Sequence, residues 1–110
     1  MTMAETTRRV RFRDIKPYDV PNSLEELNGP YDGVVKLRHS VLWVGDGNVD
    51  VSTIDGTCMA YQALLAEGQV SDQEAGLNAR KLVEVWPELS LDRRVRDLWE
   101  SRFPELRVRS

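Results

Sequence analysis

Residues 41–52, Val-Leu-Trp-Val-Gly-Asp-Gly-Asn-Val-Asp-Val-Ser, decide the fold class. Apolar Val41-Leu42-Trp43-Val44 and alternating Val49-Asp50-Val51-Ser52 flank Gly45-Asp46-Gly47-Asn48, four residues that readily take the positive φ of a tight turn. The pattern predicts a β-hairpin near 41–52. Just upstream, Val34-Val35-Lys36-Leu37 is short and β-branched, a further strand candidate. Together these give a small antiparallel sheet of three strands, or four if an N-terminal arm joins it. So small a sheet needs helices over its apolar face.

The helices are expected in the second half. Residues 57–67 place Tyr61, Leu64 and Leu65 on one face, with Asp55 near the start and Gly68 as a left-handed stop. Ser71 and Glu74 form a capping-box signature for a short turn interrupted at Gly76. Asn78 caps a segment over 79–85, which must end at Trp86 because Pro87 disfavours helical geometry in the residue before it. Ser90 is the expected cap of a last helix whose apolar positions Leu91, Val95, Leu98 and Trp99 follow i, i+4, i+7, i+8; Pro104 ends it after Phe103. Trp86-Pro87-Glu88-Leu89 recurs seventeen residues on as Phe103-Pro104-Glu105-Leu106, which reads as repeated helix-stop chemistry. The fold class is α+β: three to four short strands covered by three to four helices.

Earlier in the chain, residues 1–7 are expected to be disordered, and 8–21 to form a basic extended arm in which Val10 and Phe12 alternate with arginines. Asn22 or Ser23 can cap a short helix through Leu24-Glu25-Glu26-Leu27, stopped by Gly29-Pro30. Residues 22–106 make one domain and 107–110 a flexible tail.

A chain of 110 residues with 41% apolar side chains can build a single core without disulfides or metal. No apolar run approaches the ~20 residues of a membrane span. The lone Cys58 excludes an internal disulfide, and no secretory leader precedes the domain, so a cytoplasmic location is expected. Cys58 has no neighbouring His or Lys to activate it and reads as a small buried hydrophobe. Net charge is −3 but unevenly spread: both ends are basic, and residues 22–90 carry four basic against eleven acidic side chains.

Convergent chemistry is scarce. The single histidine, His39, lies at an expected turn between Arg38 and Ser40. Zinc has no ligand cluster. Asp46, Asn48 and Asp50 imitate the opening of a calcium loop, but Val51 stands where glycine must bend it and Thr57 where a bidentate glutamate is needed. Gly45-Asp46-Gly47 precedes a strand rather than a helix, so it aims no helix amides at a phosphate. Glu25, Glu26, Glu84 and Glu88 show no acid–base spacing. Neither catalytic residue, metal nor cofactor is expected.

Contact residues are better candidates. Arg93, Arg94, Arg96 and Arg102 on the last helix, joined by Arg8, Arg9, Arg11 and Arg13 of the arm, form the expected partner-binding set, because Arg is enriched at energetic hot spots. The same arginines could meet phosphates, although Asp92, Asp97 and Glu100 interrupt them. The expected helices around Gly68 have the length of a helix-turn-helix, but the second starts Asp72-Gln73-Glu74, which would repel DNA; scaffolding is the favoured reading. Trp43, Trp86 and Trp99 are expected in the core.

Gly29-Pro30, Gly33-Val34-Val35-Lys36-Leu37, Leu42-Trp43, residues 61–68, residues 82–89 and Val95-Arg96-Asp97-Leu98-Trp99-Glu100 together resemble a group of small bacterial proteins encoded beside nucleotidyltransferase-like toxins. The resemblance spans residues 22–106 and implies the antitoxin side of a toxin–antitoxin pair, a protein that blocks a toxin by covering its active cleft. The chain departs from the commonest antitoxin plan in showing no separate DNA-binding domain, which puts an autorepressor role in doubt. A small nucleic-acid-binding regulator is the alternative reading.

Overall fold

The computed structural model describes residues 18–42 and 45–109. The arm with Arg8, Arg9, Arg11 and Arg13, and Trp43 of the expected hairpin, lie outside the described residues. What is described is a two-stranded antiparallel hairpin followed by four helices.

Strand β1 (Val34–Lys36) pairs with β2 (Asn48–Asp50), with Val35 opposite Val49. Both valines point inward while their neighbours face solvent, the two-residue period of a half-buried sheet. The Leu37 N–H donates to Gly47 O (2.8 Å) and the Val51 N–H to Gly33 O (2.7 Å), extending the ladder at both ends. This corrects the expected pairing among the described residues: β2 turns back onto residues 34–36. Val41 and Leu42 instead form a turn in which both amides donate to Arg38 O. Gly45 and Gly47 do hold positive φ (66° and 84°), as a turn requires, and Gly47 packs so close to Leu37 that a Cβ on it would lie 2.5 Å from Leu37 O. The described sheet therefore has two strands, not three or four.

A 3-10 turn, Leu24–Glu26, replaces the short early helix; Ser23 caps it by accepting from the Glu25 N–H. Helix α1 (Ile54–Glu67) starts three residues before the expected position because the Thr53 hydroxyl accepts from the Gly56 N–H (3.0 Å). Gly68 is not left-handed (φ −80°). The chain passes through it directly into α2 (Val70–Gly76), so no reversal is needed. Residue 68 is glycine for another reason, since a Cβ there would lie 2.7 Å from Leu64 O. The cap of α2 involves Asp72, which accepts from the Gln69 N–H (2.9 Å), two residues ahead of the Ser71 and Glu74 signature. Helix α3 (Ala79–Val85) is capped by Asn78 as expected and gives way at Trp86 to a 3-10 turn, Trp86–Glu88. Helix α4 (Arg93–Arg102) is capped by Asp92, not Ser90, whose own N–H is drawn away to Gln62 Oε1 (2.7 Å).

The aromatic-Pro-Glu-Leu echo is structural. Both copies form 3-10 turns closed by a leucine N–H on the preceding aromatic's carbonyl, Leu89 on Trp86 (3.2 Å) and Leu106 on Phe103 (3.0 Å). All four side chains enter one hydrophobic cluster with Val35, Val51, Tyr61, Leu64, Leu82, Val95 and Trp99. Each large side chain fully buried there contributes about 1.5–3 kcal/mol. Trp86 and Trp99 are core residues, as expected.

Two close approaches lock this arrangement. A Cβ on Gly56 would lie 1.8 Å from Asp50 O, so α1 can rest on the end of β2 only with glycine there. Gly29 crosses the backbone of Gly76 and Leu77 in the same way. Around it, Asn28 N–H donates to Glu74 O, Gly29 N–H to Leu77 O, and Asn78 Nδ2 to Gly29 O.

Candidate interaction surface

The four arginines on or at the end of α4 do not share one role. Arg93 projects from the solvent side with 92% of its side chain exposed, 3.9 Å from the Asp97 carboxylate one turn on. Arg94, half exposed, lies 3.6 Å from Asp92, the residue that caps the helix. Arg102 is exposed at the last turn, where a cation complements the helix dipole. Arg96 turns back. Its Nη2 donates to Leu89 O (2.6 Å), its guanidinium stands over the Trp86 ring at 5.1 Å, and Nη1 lies 3.8 Å from Glu100. Glu100 in turn accepts from the Trp86 indole N–H (2.8 Å). Arg96 therefore fastens α4 to the turn after α3, and the surface retains Arg93, Arg94 and Arg102.

Fastening of the same kind recurs at several other charged groups. Lys81, 7% exposed, donates from Nζ to Tyr31 O (2.6 Å), Val51 O (2.6 Å) and Asp32 Oδ1 (3.0 Å), with the Tyr31 ring 4.4 Å from the ammonium. Nothing in its sequence neighbourhood singled it out except its place beside Leu82 and Val85 on the buried face of α3. The Tyr31 hydroxyl donates to Glu84, which also approaches Arg80 (3.5 Å); that hydrogen bond holds the Tyr31 phenol above its usual range. The Tyr61 phenol is pushed up to about 12 by burial, partly offset by the Asn78 N–H that it accepts.

Arg38 meets Asp72 through two parallel hydrogen bonds, tying the β1–β2 loop to α2. That pair holds the Asp72 carboxyl below the usual carboxylate range. Next along α2, Gln73 is fully buried, its amide donating to Asp19 O (3.0 Å) and Leu64 O (3.1 Å). Asp72 and Gln73, at the start of α2, thus both make contacts inside the fold.

His39 is exposed and lines a cavity of about 250 Å³ with Lys36, Arg38 and Asp46. The Asp46 carboxyl is held down by the Asn48 backbone and side-chain N–H groups that it accepts. Cys58 is half-buried and burial pushes its thiol up, away from reactivity. Glu26 pairs with Glu74, and Glu84 with Tyr31 and Arg80. Among the described residues no group of three or more His, Cys, Asp or Glu side chains could hold a metal ion, and no helix is long and apolar enough to cross a membrane. Large apolar side chains exposed on this framework are Tyr31, Val34, Ile54 and Met59. Comparison with protein-family models, with curated proteins and with solved structures finds no match.

Proposed function

We propose that this protein is a non-catalytic interaction module of the cytoplasm, the antitoxin half of a toxin–antitoxin pair, which neutralises its partner by covering it. The observation that carries this reading is the charge mosaic of α4. Arg93 and Arg94 face solvent, each within 4 Å of a carboxylate, so the surface offers both signs side by side. A partner of mixed charge can match such a surface in register, whereas a polyanion would meet a carboxylate beside each of these two arginines. Arg38, Asp72 and Lys81 serve instead as internal tethers, and surface complementarity at α4 is the means of action in this reading. The resemblance of residues 22–106 to proteins encoded beside nucleotidyltransferase-like toxins supplies the kind of partner.

Co-expression tests it. Production of the adjacent gene's product alone should arrest growth, and production of both proteins should restore it; arrest that persists when both are made contradicts the proposal. Arg102, exposed and without an ion pair among the described residues, favours a second reading as a nucleic-acid binder. That reading requires retention on duplex or single-stranded DNA that falls steeply with salt.

A further inference from the structure

The cavity beside the β1–β2 loop lies apart from α4 and from the reading above. Its floor is apolar, Leu37 and Leu42, and its polar wall consists of Lys36, Arg38, His39 and Asp46. That wall carries more donor groups than acceptors. Both Asp46 oxygens already accept from Asn48, at 3.0 and 3.2 Å. Arg38 is held in place by Asp72 through Nε and Nη2, which leaves its other N–H groups unused by that pair. Among the described residues the side chains of Lys36 and His39 make no hydrogen bond or ion pair, although the Lys36 charge is felt by the Asp46 carboxylate, and the Lys36 stem lies across Gly47 at the cavity edge. Donor groups therefore remain for an incoming acceptor, on a site bounded by the hairpin ladder and tied to α2 through Arg38 and Asp72.

We propose that this cavity binds a small phosphate-bearing ligand through Lys36, Arg38 and His39. The guanidinium, fixed by Asp72, orients a tetrahedral oxyanion, and Lys36 and His39 close on its remaining oxygens. A volume of about 250 Å³ admits inorganic phosphate or a small phosphate monoester. Asp46 borders the same space and subtracts from the attraction, so affinity is expected in the millimolar range.

The test is a titration of isotope-labelled full-length protein followed by two-dimensional NMR, with inorganic phosphate, glycerol phosphate and acetate as probes. The expected result is saturable shifts of the Lys36, Arg38, His39 and Gly47 amides with phosphate or its ester, weaker with acetate. Stronger binding of the ester than of phosphate identifies an organic phosphate as the ligand; equal binding identifies the free ion. Lys36→Gln combined with His39→Gln, both exposed and unpaired, should weaken binding about tenfold. Asp46→Asn, which keeps an oxygen for the Asn48 N–H, should strengthen it. Absence of shifts at about 10 mM ligand, acetate binding as tightly as phosphate, or unchanged affinity in the double variant overturns the proposal.

Discussion

Arg38 and Asp72, thirty-four residues apart, are joined by two hydrogen bonds of 2.7 Å each, Nε to Oδ1 and Nη2 to Oδ2. One carboxylate thereby serves two elements, since Asp72 also accepts from the Gln69 N–H at the start of α2. Asp72→Ala should cost about 1 kcal/mol through the lost cap alone, with the freed loop adding to it. Because the folded-state value of Asp72 is depressed, its contribution is present above the ordinary carboxylate value and fades as pH falls through the depressed one. Urea unfolding of the parent and of Asp72→Asn should differ at neutral pH and converge in strong acid.

The opposite sign applies to Glu74. Its carboxyl is held above the usual range by a hydrogen bond with the Glu26 side chain, then by burial and by the Glu26 charge. A raised folded-state value stabilises the fold below the unfolded value and loses that contribution as pH rises through the raised one. Glu74→Gln should therefore unfold at higher denaturant concentration than the parent at pH 7, and the advantage should shrink toward pH 4. A parent that matches the variant at both values contradicts the pairing.

Lys81 joins α3 to the hairpin through two carbonyls and a carboxylate. Lys81→Met keeps the stem but strips the donors from Tyr31 O, while Val51 O retains the Thr57 hydroxyl at 2.8 Å. A loss of about 1–3 kcal/mol is expected, read as a lower unfolding midpoint, and hydrogen exchange should accelerate first at the amide of Val51.

Gly56, in the first turn of α1, and Gly45, in the turn before β2, separate clash from strain. Gly56→Ala sets a methyl 1.8 Å from Asp50 O and should cost at least about 3 kcal/mol. Gly45→Ala meets nothing within 4 Å and only loses backbone freedom at φ 66°, so about 1–2 kcal/mol is expected. Thermal unfolding of the two variants should rank them in that order.

How far the fold could be read in advance depended on range. Asn78 as a cap, the end of α3 at Trp86 and the paired aromatic-Pro-Glu-Leu turns are matters of neighbouring residues, and the structure has all three. Trp86 nevertheless keeps helical angles (φ −50°, ψ −46°) ahead of Pro87, and the chain tightens into a 3-10 turn there instead of leaving helical geometry. The hairpin was half legible: positive φ at Gly45 and Gly47 marks where β2 begins, but says nothing of how long the turn before it is. The extra length, residues 37–47, is settled by Val35 meeting Val49 and by Arg38 reaching Asp72, contacts that no local pattern displays. Charged residues were least legible. Arg96 has the same local setting as Arg93 and Arg94, and only the fold brings Leu89 O and Trp86 beneath it. Lys81 was passed over for the same reason.

If α4 is the contact surface, Arg93→Glu with Arg94→Glu should leave stability nearly unchanged, as both side chains are half exposed or more. Arg96→Ala should instead lower stability, by about 1–3 kcal/mol, since it uncovers Leu89 O and the Trp86 ring. Circular dichroism melts of the two variants distinguish surface arginines from the structural one.

Calorimetric titration of the protein with the purified product of the adjacent gene bears most directly on the proposed action through surface contact. A saturable complex, weakened about tenfold or more by Arg93→Glu with Arg94→Glu, is the expected result. No heat of binding, or an affinity indifferent to both charge reversals, would contradict an interaction built on α4.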